Sequence, residues 1–161
     1  FPRLCALEAV TLAICARQRQ GGAWWRRLHT YRDAVEEAYG ILVSLHLGEN
    51  CYRPARELPY GQQRLLEIAL ALAAKPRVLL LDEPAAGVPE SESGELFAAI
   101  SGLSADITVL FIEHDMNIVF RFASRIIVMA GGRVLLEGSP QEVAADTRVR
   151  EVYLGKKGHH G

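Results

Sequence analysis

Leu58–Glu90 reads LPYGQQRLLEIALALAAKPRVLLLDEPAAGVPE, and the rest of the chain is organised around it. Leu58-Pro59-Tyr60-Gly61-Gln62-Gln63 reads as a glycine-containing turn that opens into an apolar, alanine-rich helix over Arg64–Ala74. Lys75-Pro76 stops that helix, because proline drives the residue before it out of the α region. Val78-Leu79-Leu80-Leu81 is a short unbroken apolar run, which predicts a parallel strand buried on both faces. Asp82-Glu83-Pro84 closes the run. Two carboxylates then stand at the carboxyl edge of a sheet, where open α/β folds bind their ligands.

Downstream, Glu90–Leu103 carries Leu96, Phe97 and Ile100 at helical spacing. Ile107–Ile112 is a second apolar, β-rich run, closed by Glu113-His114-Asp115. Strand, helix and strand at this spacing predict a βαβ unit in a parallel sheet, with His114 at the same sheet edge as Asp82 and Glu83. Met116–Ala123 reads as a short helix. Ile126–Met129 and Val134–Leu136 flank Ala130-Gly131-Gly132-Arg133, a two-glycine hairpin signal. Ser139 is the candidate N-cap of a last helix, with Pro140 at its first position and Glu142 at its third.

Upstream, Phe1–Gln20 has a helical stripe at Leu4, Leu7, Val10, Leu12 and Ile14, with Glu8 early in it. Gly21-Gly22 breaks the pattern before Trp24-Trp25-Arg26-Arg27, read as a loop folding its tryptophans onto a helical bundle, with a contact surface as the alternative. Thr30–Leu47 reads as an amphipathic helix with Val35, Ala38, Tyr39, Leu42 and Leu45 on one face and Gly48 as its stop.

The 161 residues suit one domain or parts of two, half of them are hydrophobic, and the net charge of −1 lacks the basic surplus of a nucleic-acid binder. No apolar run approaches the roughly 20 residues of a membrane span. Cys5, Cys15 and Cys51 are widely spaced without a CxxC and read as reduced thiols; His159-His160 reads as a solvated tail. Phe1-Pro2-Arg3 has neither an initiator methionine nor a signal-peptide layout, so the chain is expected to begin mid-protein.

Four aliphatics followed by Asp-Glu form the pattern called Walker B, although alone they equally describe a core strand with a polar end. Preceded by LPYGQQ and one helix, the sequence resembles the ATP-binding cassette (ABC) family, whose signature turn LSGGQ lies in that place. YGQQR-LEIA and DEPAAG resemble the branch serving branched-chain amino acid importers, FPRLCALEAV resembles the segment after the Q-loop, and the resemblance covers nearly the whole chain. It implies an α/β fold: the C-terminal part of a P-loop NTPase, a helical subdomain (1–57) followed by a parallel-sheet core with a terminal hairpin (58–154) and a tail (155–161).

The resemblance further implies roles. Asp82 would hold Mg²⁺, Glu83 would activate the attacking water, and His114 would sense the γ-phosphate. Leu58, Pro59, Tyr60, Gly61 and Gln62 would cap the ATP held by a second ATPase subunit, identical or not, with Gly61 contributing a helix N-terminus. Transmembrane permease subunits would be the other partners, with no nucleic acid. The expected location is peripheral, on the cytoplasmic face of a bacterial membrane.

Three departures stand out. Pro59 replaces the usual signature serine, and Pro89 stands where Asp or Asn is usual. No G-x-x-x-x-G-K-S/T occurs, so the lysine and backbone cradle for the β- and γ-phosphates are missing, together with the Q-loop and the adenine-stacking aromatic. The chain by itself is therefore expected to be inactive. Two other readings stay open: a non-catalytic interaction module, and a lipopolysaccharide-export ATPase, which shares DEP-x-AG and the terminal VYLG but carries SGGE in the signature turn. Cassettes of DNA repair interpose long coiled coils, for which Phe1–Leu58 leaves no room.

Overall fold

The computed structural model describes residues 4–18 and 31–154. The Trp24–Arg27 loop and the His159-His160 tail lie outside them. The chain falls into two compact units, Phe1–Glu113 and His114–Gly161.

In the first unit, α1 (Ala6–Arg17) buries Val10 and Ile14 completely. Glu8 starts the helix by accepting the Cys5 N–H at 2.9 Å, a bond that satisfies one of the donors exposed at a helix end. Leu12 departs from the expected stripe and is exposed. Helix α2 (Arg32–Ser44) buries Ala34, Ala38 and Leu42, whereas Tyr39 points to solvent. The helix ends before Gly48, because His46 turns the chain at φ 58° and Gly48–Asn50 forms a 3₁₀ turn. Arg17 ties α1 to α2 through both Glu37 carboxylate oxygens, at 2.9 and 2.8 Å, and reaches the Ala73 carbonyl at 2.6 Å.

Helix α3 (Tyr60–Leu72) packs on α1, α2 and α4 through Leu65, Leu66, Ile68, Ala69 and Leu72. It begins earlier than its sequence suggests. Pro59 is the N-cap, and Tyr60, Gly61 and Gln62 already form the first turn. Lys75 ends it in a left-handed conformation (φ 54°), donating its N–H to the Leu72 carbonyl at 2.8 Å.

Strand β1 (Val78–Asp82) and β2 (Thr108–Ile112) pair in parallel with Asp82 opposite Ile112, joined by α4 (Glu90–Ser101). The βαβ expectation holds. The expectation of burial on both faces does not: Leu79 is buried, while Leu80 is 69% and Ile112 62% exposed. Among the described residues this sheet has two strands, and α4 covers one face, where Phe97 packs edge-on to Phe111 at 5.1 Å.

The second unit holds α5 (Met116–Phe122), the hairpin β3 (Ile126–Ala130) and β4 (Arg133–Gly138), α6 (Pro140–Ala145) and α7 (Thr147–Leu154). Gly131 and Gly132, at φ 57° and 75°, make the two-residue turn, whose hand matches strand twist. Ser139 and Glu142 form the expected capping box: the Ser139 N–H donates to Glu142 Oε2 at 2.7 Å, and the Glu142 N–H to Ser139 Oγ at 3.3 Å. Val128 and Val143 are buried between hairpin and helix.

Candidate functional site

Parallel pairing sets the Asp82-Glu83 carboxylates. Register with Ile112 brings Asp82 to the end of β1, and Glu83 continues the ladder by donating its N–H to the Ile112 carbonyl at 2.9 Å. Glu83 then turns left-handed, at φ 44°. That region is costly for a residue with a Cβ and persists only where surrounding bonds over-determine it. Those bonds are present: the Ala86 N–H donates to the Glu83 carbonyl at 2.9 Å, and the Ala85 N–H to Glu113 Oε1 at 3.1 Å. Asp82 and Glu83 are both exposed. They line a cavity of about 280 Å³ between α3 and β1, which Arg64, Glu67 and Leu80 also line.

Arg64 organises the wall on the α3 side. It donates to Glu67 Oε2 at 2.8 Å and to the Tyr60 hydroxyl at 2.9 Å, and its guanidinium carbon lies 5.2 Å from the Tyr60 ring centre. Hydrogen bonding to Glu67 is the main cause holding its pKa above the ordinary arginine value, so this charge is permanent. Arg64 Nε is buried with no hydrogen-bond partner among the described residues.

Leu58–Gln62 sit at the head of α3. Leu58 is buried, and its carbonyl accepts from Gln63 Nε2 at 2.8 Å; Pro59 and Tyr60 are exposed. Gln62 Oε1 accepts from Asn50 Nδ2 at 3.1 Å, which ties the turn to the helical segment. Gly61, expected in a turn at the N-terminus of the helix, lies within the helix's first turn. It is buried inside the helix, and its N–H donates to Glu92 Oε2 of α4 at 3.1 Å. A Cβ at Gly61 would meet that oxygen at 2.7 Å. Glycine is required here by close approach, not by an unusual φ.

His114 opens the second unit, two residues past β2 and exposed, immediately before Asp115, which caps α5 by accepting the Asn117 N–H at 2.9 Å. The first unit thus brings together Asp82, Glu83 and the α3 wall, and His114 is described in the second. Sequence reasoning passed over Glu92, Glu113 and Arg64. Each acts through a partner about thirty residues or one helical turn away, and carboxylates or arginines in a polar run carry no mark of such a bond.

A parallel βαβ unit whose first strand ends in Asp-Glu, with a glycine-bearing helix immediately upstream, defines an α/β architecture of the P-loop NTPase kind. The family model "ABC transporter" matches residues 8–86, and "Branched-chain amino acid ATP-binding cassette transporter" matches residues 133–159. The chain belongs to the ABC transporter ATPase family. It is 42% identical over 127 residues to the high-affinity branched-chain amino acid transport ATP-binding protein BraF of Pseudomonas aeruginosa, covering 78% of this chain and 50% of BraF. Identity to LivG of Escherichia coli is 39% over 126 residues, covering 77% of this chain and 49% of LivG. A probable LivG of the archaeon Methanocaldococcus jannaschii is 37% identical over 129 residues, 77% of this chain and 50% of that protein. The ADP conformation of MJ1267, an ATP-binding cassette of an ABC transporter, superposes with a TM-score of 0.75 at 30% identity, over 96% of this chain and 64% of that one. The chain spans about half the length of the curated relatives it matches.

Proposed function

We propose that the chain is the signature- and Walker B-bearing part of an ATPase that energises uptake of branched-chain amino acids. The observation that carries this is Asp82-Glu83 at the carboxyl end of a parallel strand, beside the helix whose head is formed by LPYGQQ. The branched-chain amino acid transport function of BraF and LivG supports the substrate class.

The residues fit a Mg²⁺-nucleotide in part. Asp82 offers one exposed carboxylate, and no cluster of three or more metal-binding side chains occurs among the described residues. Magnesium is commonly held by one or two carboxylates plus substrate phosphates, which this single ligand suits. When bound, Mg²⁺ neutralises charge developing on the phosphate oxygens. Glu83 accepts the proton of the attacking water; its backbone, held between Ile112 and Ala86, limits where the carboxylate can reach. His114 reports the γ-phosphate. Leu58–Gln62 close over the nucleotide of a second ATPase subunit, and the helical segment engages permease subunits at the membrane. Among the described residues no helix is long and apolar enough to cross a membrane, so that contact is peripheral in this reading.

The test is steady-state ATP hydrolysis by this chain joined to the half of BraF outside the matched region, in a fusion that carries a G-x-x-x-x-G-K-S/T loop. Glu83→Gln should lower kcat at least about 100-fold while nucleotide affinity stays within about threefold. Undiminished hydrolysis in that variant overturns the assignment. A second reading, a non-catalytic interaction module, rests on the absence of G-x-x-x-x-G-K-S/T from the sequence. Calorimetry of the chain itself with Mg²⁺-ATP bears on it: no binding favours a module or a partner-dependent site, and micromolar binding excludes the module.

A further inference from the structure

Two of the family departures, Pro59 and Pro89, occupy the same structural position: each is the N-cap of a helix, α3 and α4 respectively. An N-cap normally offers a side-chain oxygen to the N–H two or three residues on. Pro59 has none, so the Gly61 N–H needs an acceptor from elsewhere. In α4 the third residue is Glu92, which in a capping box would accept the N–H of its own N-cap. Pro89 has no N–H to give. Glu92 is therefore released from its own helix, and its carboxylate accepts the Gly61 N–H across the gap, at 3.1 Å.

We propose that Glu92 is the positioning residue of the signature turn, a cap supplied to α3 by the neighbouring helix. The reading that this turn closes over a nucleotide underlies its functional part. Two further contacts make the arrangement a unit. The Glu92 Cβ lies 3.3 Å from where a Gly61 Cβ would be, and Val88 Cγ1 lies 3.6 Å from the same point. Tyr60, one residue before Gly61, packs on Gly87. The segment from Gly87 to Glu92 thus embraces the first turn of α3. A nucleotide phosphate approaching the turn meets a backbone whose orientation Glu92 has set.

Amide hydrogen exchange on the ¹⁵N-labelled chain tests the contact, with α1 and α2 amides as the control for folding. Gly61 should exchange at least about ten-fold faster in Glu92→Ala, and within about threefold of the unmutated chain in Glu92→Gln, whose amide oxygen still accepts. Pro59→Ser restores a local cap, so in that background Glu92→Ala should accelerate Gly61 by less than about threefold. That double variant also carries the comparison if Glu92→Ala alone does not fold. A Gly61 amide indifferent to Glu92→Ala, or equally accelerated in both backgrounds, overturns the proposal.

In the ATPase joined to the BraF half, Glu92→Ala should lower kcat about ten-fold with KM for ATP within about twofold, and Glu92→Gln should restore it. Faster Gly61 exchange with unaltered kcat would overturn the positioning role. Absence of hydrolysis in the unmutated enzyme would count against the ATPase reading, while exchange at Gly61 would still decide the cap.

Discussion

The ring of Tyr60 lies on the backbone of Gly87, so close that a Cβ there would sit 3.4 Å from Cε1 and 3.5 Å from the hydroxyl. Gly87 also holds φ 76°, in the left-handed region that L side chains avoid. Gly87→Ala should therefore cost about 1–2 kcal/mol, read by urea unfolding. Tyr60→Phe keeps the ring on the glycine and loses only the Arg64 bond, so it should cost less. Equal costs would show that the backbone at Gly87 relaxes freely.

Glu37 predicts an acid limb of stability. Hydrogen bonds from Arg17 are the main cause that holds its carboxyl below the usual carboxylate range, and Lys75 at 3.2 Å adds to them. A carboxyl depressed on folding stabilises the fold above its unfolded value, about 4.3, and loses that contribution as pH falls through the lower folded value. Unfolding midpoints measured from pH 6 down to 3 should fall in the unmutated chain. Glu37→Gln should flatten that limb and cost about 1–2 kcal/mol near neutral pH, allowing for partial solvent screening. An unchanged acid slope would assign it to other carboxylates.

Phe97 is fully buried between α4 and β2. Phe97→Ala should destabilise the first unit by about 3–5 kcal/mol, whereas Phe97→Leu, with most of the volume retained, should cost less. Calorimetric unfolding of both variants measures the difference, and near-equal costs would mean that the edge-on ring contact, not volume, dominates.

The two faces of β1 should respond oppositely to charge. Leu80→Lys on the exposed face should change stability by less than about 0.5 kcal/mol. Leu79→Lys, at a position 5% exposed, buries an ammonium without a partner and should abolish cooperative unfolding. Tolerance of Leu79→Lys would contradict the packing described for this sheet.

Periodicity and punctuation alone determined a good deal. Local chemistry decides where Lys75-Pro76 stops α3, why Gly131-Gly132 makes a hairpin turn and how Ser139 pairs with Glu142. Each depends on φ limits or on bonds spanning three or four residues, which any chain carrying those residues would obey. The order strand, helix, strand also sufficed to put Asp82 and Glu83 at a sheet edge, since a parallel crossover leaves that end open. Tertiary structure decided the rest. It chose which face of β1 is covered, left Tyr39 in water, started α3 at Tyr60 and turned Glu83 left-handed. It also gave the Gly61 N–H to Glu92, thirty-one residues away in sequence. Such pairings follow from how α3 and α4 pack side by side, a long-range arrangement for which neither helix carries a local signal.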